Sequence, residues 1–141
     1  MAENPKTVVV RPDVDIDEDI DHMLTRPGFE AVRHDRARME IAVTNGAVTI
    51  TGHTRTAQTP DVLSREVAKI PGVKSVDVSQ LYNDDALRVL SGQMTPVEVF
   101  TAVSYGAVVL TGKIPAGMTL EEIVAKVEAI EGVRKVIPNF K

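Results

Sequence analysis

The 141-residue chain has no cysteine and no tryptophan. Without cysteine there are no disulfides, no thiolate catalysis and no thiolate metal site. Aromatic residues make up only 4% of the chain, so its cores must be built from Val, Ile, Leu and Ala, as suits thin sheets under short helices. The formal net charge of −4 argues against a general phosphate-backbone binder, which needs clustered Lys and Arg, so nucleic acid is not expected as a partner. It also weakens attraction to anionic lipid. No apolar run is long enough for a membrane span or, near Met1, for an export signal. The expected compartment is therefore the cytoplasm, or the periplasm or envelope if a leader has been removed.

What is present is a repeat. Asn45-Gly46-Ala47-Val48-Thr49-Ile50-Thr51-Gly52 matches Tyr105-Gly106-Ala107-Val108-Val109-Leu110-Thr111-Gly112. Further on, Ile70-Pro71-Gly72-Val73-Lys74-Ser75-Val76 matches Ile130-Glu131-Gly132-Val133-Arg134-Lys135-Val136. Both blocks are offset by the same 60 positions, and two blocks in one register indicate duplication.

Within the first unit, Met39, Ile41 and Val43 alternate with polar residues as in a half-buried strand. Asn45-Gly46 is a hairpin signal, because both residues tolerate positive φ, and Val48 and Ile50 mark the return strand. Thr59 with Pro60 suggests a helix start, Leu63, Val67 and Ile70 its apolar stripe, and Gly72 its stop. Another strand begins within Val73 to Leu81. The second unit repeats this: Val97, Val99 and Val103 on one strand face, Tyr105-Gly106 at the turn, and Val108 and Leu110 returning. Thr119 with Glu122 forms a capping box. Ile123, Val127 and Ile130 make the stripe, with Gly132 as the stop. Short amphipathic segments precede each hairpin, with Ile20, Met23 and Leu24 in one and Leu87 and Leu90 in the other. The expected fold is α+β: two tandem αββαβ repeats, each a small mixed three-stranded sheet covered by helices. Residues 1–14 form an extension with a possible added strand, 15–82 the first repeat and 83–141 a degenerate second.

The segment Val43-Thr44-Asn45-Gly46-Ala47-Val48-Thr49-Ile50-Thr51-Gly52, the helix ending Val67 to Val76, and their second copies resemble the BON domain family, known from osmotically inducible periplasmic and nodulation-related bacterial proteins. The resemblance covers roughly residues 15–141, with Tyr105 replacing the turn Asn and Pro138 placed where only an edge strand tolerates it. It implies αββαβ folds, often in tandem, without catalytic residues, and a role in phospholipid or envelope association.

Chemistry-bearing constellations are few. Asp13-x-Asp15-x-Asp17 resembles the start of a calcium loop, but Glu18 stands where glycine is needed and Leu24 where a bidentate Glu is needed. Asp13, Asp15, Asp17, Glu18, Asp19 and Asp21 are better explained as acids at a helix N-terminus. His22, His34 and His53 lack ligand spacing. Arg26, Arg33, Arg36 and Arg38 form a basic stretch that could meet phosphate, though a solvated loop beside the acidic run explains it more simply. Gly46, Gly52, Gly106 and Gly112 are turn and strand-end glycines, outside any phosphate-loop pattern. No metal, cofactor or enzymatic activity is expected.

Comparison of the repeats is more informative. On the outward sheet face, Glu40, Ala42 and Thr49 of the first become Phe100, Ala102 and Val109 in the second. An apolar outer face marks either intrachain packing or a contact surface. Val8, Val9 and Val10 are a second candidate, for strand addition. The expected function is a non-enzymatic binding or assembly module making protein–protein contacts through a sheet face or edge, self-association included. The alternatives are peripheral phospholipid binding and small-ligand or cation sensing.

Overall fold

Both hairpins turn through two consecutive residues with positive φ. These are Asn45 (50°) and Gly46 (82°) in the first and Tyr105 (46°) and Gly106 (81°) in the second, the backbone of a type I′ connection. In a computed structural model, which describes residues 10–141, helices α1 (Asp13–Met23) and α2 (Glu30–Asp35) precede a 3-10 turn. Strands β1 (Met39–Thr44) and β2 (Ala47–Thr54) follow, then α3 (Gln58–Val67), β3 (Ser75–Asp77) and β4 (Leu81–Asn83). The second half contains α4 (Asp84–Gln93), β5 (Val99–Ser104), β6 (Ala107–Gly112), α5 (Leu120–Glu128) and β7 (Lys135–Pro138). The fold is α+β, with two mixed sheets.

Within each repeat the hairpin is antiparallel and the strand after the crossover helix runs parallel to the return strand, β3 beside β2 and β7 beside β6. The first sheet gains a fourth strand. β4 also runs parallel to β2, pairing Gly52 with Leu81 and Thr54 with Asn83. The third lane expected from the sequence is thus an interrupted one, broken between Asp77 and Leu81. Pro138 ends β7, an edge strand, where its missing N–H breaks no ladder.

The cores are aliphatic. Ile16, Ile20 and Met23 of α1, Val48 and Ile50 of β2, and Leu63 and Val67 of α3 are buried together. The second core is smaller, with Val99, Val108, Leu110, Ile123 and Val127 at its centre. Several local expectations need correction. Thr59 is buried inside α3, which starts one residue before it, and makes no cap bond. The helices stop at Val67 and Glu128, well before Gly72 and Gly132. Those glycines (φ 91° and 97°) occupy the next turn, closed by Val73 N–H to Ile70 O and Val133 N–H to Ile130 O at 3.1 Å each. With Pro71 before Gly72, the first of these has the type II signature. Val97 lies outside β5 and is 90% exposed, and Leu90 faces outward on α4. Thr119 does cap α5, accepting the Glu122 N–H at 3.2 Å.

The register also extends the duplication. Asp13, first residue of α1, accepts the Asn45 and Gly46 N–H groups at 2.9 and 3.0 Å. Asp84, first residue of α4, accepts those of Tyr105 and Gly106 at 2.7 and 3.0 Å. These clamps span 32 positions in the first repeat and 21 in the second. The difference corresponds to the segment containing α2, which the second repeat lacks.

Candidate interaction surface

The outer sheet face of the second repeat is built by strand register. Ala102 of β5 pairs with Val109 of β6, which pairs with Ile137 of β7. Phe100 pairs with Thr111 in the adjoining row. Side chains alternate across a strand, so these residues share one face. Val99, Val108 and Leu110 point into the core. Phe100 is 66% exposed and Ile137 40%. Ala102 is exposed and Val109 half-buried. Among the described residues, packing within the chain leaves most of Phe100 uncovered. The corresponding rows of the first repeat are Ala42, Thr49 and Asp77, with Glu40 beside Thr51. Ile137 was overlooked in the sequence, although its first-repeat counterpart Asp77 lies at the same 60-position offset. Beside Phe100 is a hollow of about 350 Å³ lined by Thr111, Gly112, Lys113, Asn139 and Lys141.

A second polarity change lies on the helical side. Between α4 and α5, Leu90, Met94, Ala129 and Ile130, with Gln93 and Lys126, line an apolar groove of about 480 Å³. The first repeat's counterpart, between α1 and α3, is about 230 Å³ and carries Asp19, Arg26, Glu66 and Lys69 among its walls. Lys69 donates to Glu66 at 2.9 Å and holds that carboxyl below the usual range. Aligned on the Asp13 and Asp84 clamps, Asp19 becomes Leu90 and Arg26 becomes Val97, and at the 60-position offset of the crossover helices Lys69 becomes Ala129.

Between the repeats, polar side chains are spent on joining them. Asp35 is fully buried. It accepts from the Arg55 Nε at 2.9 Å, the Arg55 backbone N–H at 3.2 Å and the Tyr105 hydroxyl at 2.7 Å. The Arg38 guanidinium stands 4.9 Å from the centre of the Tyr105 ring. Burial, then the Asp35 carboxylate, push the Tyr105 phenol above its ordinary value. His53 Nε2 lies 2.7 Å from the Gly132 carbonyl oxygen, and the Tyr82 ring packs on the Gly132 backbone.

Other candidates from the sequence fall into place around this. Val8 and Val9 lie outside the described residues; Val10 is 85% exposed and belongs to no strand. In the acidic run, Asp13 clamps a turn, and Asp19 pairs with Arg11 at 2.7 Å. Among the described residues no group of three carboxylates or histidines is placed to hold a metal ion, and no helix is long and apolar enough to cross a membrane. The basic stretch is used locally: Arg33 donates to the Leu24 and Arg26 carbonyls, and Arg36 to that of Met39. Gly112 ends β6 as expected, but Gly52 lies within β2, which runs on to Thr54; at each a Cβ would strike a carbonyl oxygen, that of Arg38 or of Glu98.

Comparison with known proteins adds the following. The family profile described as the BON domain matches residues 13–81 and again 89–141. No curated protein sequence matches the chain. Among solved structures, one titled CdsD, a structural protein of the Type III secretion system of Chlamydia trachomatis, is similar with a TM-score of 0.68 at 16% identity. The match covers 92% of this chain and 63% of that one. A second, titled as the C-terminal domain of CdsD from the same organism, gives 0.63 at 19% identity, covering 92% and 66%. The present chain thus spans under two thirds of the first of these. At such identities the likeness is one of fold.

Proposed function

The chain belongs to the BON domain family, with two copies of the domain, and on that premise we propose that it is a non-enzymatic protein-interaction module whose second repeat faces the partner. The observation that carries this is the exchange of Glu40, Thr49 and Asp77 for Phe100, Val109 and Ile137 at matched positions of the outer sheet face. Two copies of one fold need an apolar inner face to fold, so apolar residues gained on an outer face answer to something outside that core. The first repeat, polar on both its sheet face and its helical groove, serves as the scaffold that holds the second.

Two further observations favour this function. The ionisable side chains that converge between the repeats are engaged structurally, Arg55 and Tyr105 both donating to Asp35. The similar solved structures are named as a structural component of a secretion assembly, a role of contact making.

The test is co-purification of the tagged chain from its source cell, with bound polypeptides identified and their stoichiometry measured. A stoichiometric polypeptide, this chain or another, should be retained by wild type and by a Glu40→Lys control, and lost from a folded Phe100→Glu, Val109→Glu variant. If no polypeptide follows that pattern while anionic vesicles float the wild type, the protein-contact function is wrong and phospholipid binding takes its place.

A further inference from the structure

From the shape of the second repeat's sheet face we infer that its occupant is the same face of a second copy of this chain, packed across a two-fold axis. This rests on the protein-contact function above and names the partner. The face carries a projection and a recess side by side. Phe100 stands 66% exposed, and the hollow of about 350 Å³ at its foot is lined by its cross-strand neighbour Thr111, by Gly112 and by Asn139. A two-fold axis near Thr111 sets each Phe100 into the other copy's hollow. One surface then supplies both halves of the fit, as an isologous contact requires. Gly112 borders the recess, and its φ of 98°, with the Glu98 carbonyl and the edge of the Phe100 ring beside where a Cβ would stand, leaves no room for a side chain there.

The rim points the same way. Glu98 and Lys113 lie opposite each other at the strand ends, joined by the Lys113 N–H to Glu98 O bond of 3.2 Å, and Lys141 borders the hollow. A rim of one sign would suit a partner of the other sign; a rim with both signs can meet its own copy without leaving like charges opposed. The lysines also stand where the incoming aromatic ring would lie, a placement that favours cation–π contact. The corresponding row of the first repeat carries Glu40, so each chain has one such face and the association closes at two copies.

The experiment uses the full chain in sedimentation and light scattering over a dilution series, with single-cysteine variants in a chain that has no other cysteine. Wild type should be a dimer that dissociates on dilution. Phe100→Glu should weaken it about thirtyfold or more, as removal of a central anchor does, with the circular dichroism unchanged. Phe100→Ala, milder, checks that any loss is not misfolding. Thr111→Cys alone should form a covalent dimer with a short bismaleimide, while Thr51→Cys, its first-repeat counterpart, should not. A wild type that stays monomeric at every concentration overturns the two-fold dimer. So does a dimer indifferent to Phe100, or equal cross-linking through Thr51→Cys. Each of those results leaves the protein-contact function to be judged by the co-purification above, where a different stoichiometric polypeptide lost with Phe100→Glu, Val109→Glu would sustain it.

Discussion

The Tyr105 hydroxyl donates a 2.7 Å hydrogen bond to Asp35 Oδ1, 70 positions earlier in the other repeat. Asp35 is fully buried, and its other donors come from Arg55. The departure that makes the second hairpin look degenerate, Tyr in place of the turn Asn, therefore gives the turn a side chain long enough to reach α2. The first repeat supplies α2 and needs no such tyrosine.

Tyr105→Phe should cost about 1.5 to 3 kcal/mol, the range for a hydrogen bond to a charged acceptor. Asp35→Asn should cost a similar amount, and the double variant less than the sum, with a coupling of about 1 kcal/mol or more. Urea unfolding followed by circular dichroism measures all three. Strict additivity would mean that the contact does not tie the repeats together.

The same pair sets an alkaline limit. Burial first, and the Asp35 carboxylate second, raise the Tyr105 phenol above its ordinary value, with Arg55 and Arg38 opposing. A raised folded value means that the native state holds this proton more tightly than the unfolded chain. The resulting stabilisation is full below about pH 10, the unfolded value, and is lost as pH climbs through the folded one. Tyr82 shares the direction, through burial and then Glu131. With two tyrosines and no tryptophan in the chain, tyrosinate absorbance resolves both titrations. The stability difference between wild type and Tyr105→Phe should shrink across that alkaline range; a constant difference would contradict the assignment.

The two turn clamps should respond unequally to one substitution. An asparagine offers one acceptor oxygen where the aspartate offers two, so one of the paired turn N–H groups loses its partner. Asp84 is 6% exposed and sits at the joint, so Asp84→Asn should cost about 2 kcal/mol, within the range for an unsatisfied buried donor. Asp13 is less buried, and Asp13→Asn should cost about half as much because water can reach the freed group. Thermal unfolding compares them, and equal costs would argue against burial as the deciding term.

Much of this fold was legible in the residues. The hairpins, the crossover helices and the inner faces follow from period-2 and period-3.6 patterns at a constant offset, and so did Phe100, Ala102 and Val109. The amphipathic segments before the hairpins were legible, but their residue-by-residue match was hidden because α2 shifts the register between Asp13 and Asp84, which an ungapped comparison passes over. The α4/α5 groove was hidden with it, since Leu90 answers to Asp19 only after that shift. Thr59 was misplaced as a cap because Ser, Thr and Pro favour a helix start without fixing which residue begins it. Asp35 gave no signal at all. A lone Asp in a charged stretch becomes a buried hub only through Arg55 and Tyr105, and neither is near it in sequence.

Once Asp13 and Asp84 are aligned, Ile20 of α1 corresponds to Ser91 of α4, and both are fully buried. Ile20 packs among aliphatic neighbours, whereas among the described residues the Ser91 hydroxyl has no hydrogen-bond partner. A buried, unpaired hydroxyl costs about 1 to 3 kcal/mol, and alanine keeps the volume close while removing it. Serine is also the weaker helix former of the two. Ser91→Ala should therefore stabilise the protein by about 1 kcal/mol, raising the urea midpoint without changing the slope of the transition. Ser91→Ile, restoring the first repeat's residue, tests the space around it: stabilisation would show room for the larger side chain, and loss would show that the second repeat has closed around the smaller one. A destabilised Ser91→Ala would mean that the hydroxyl has a partner, such as a buried water, and would remove the unpaired group from the account.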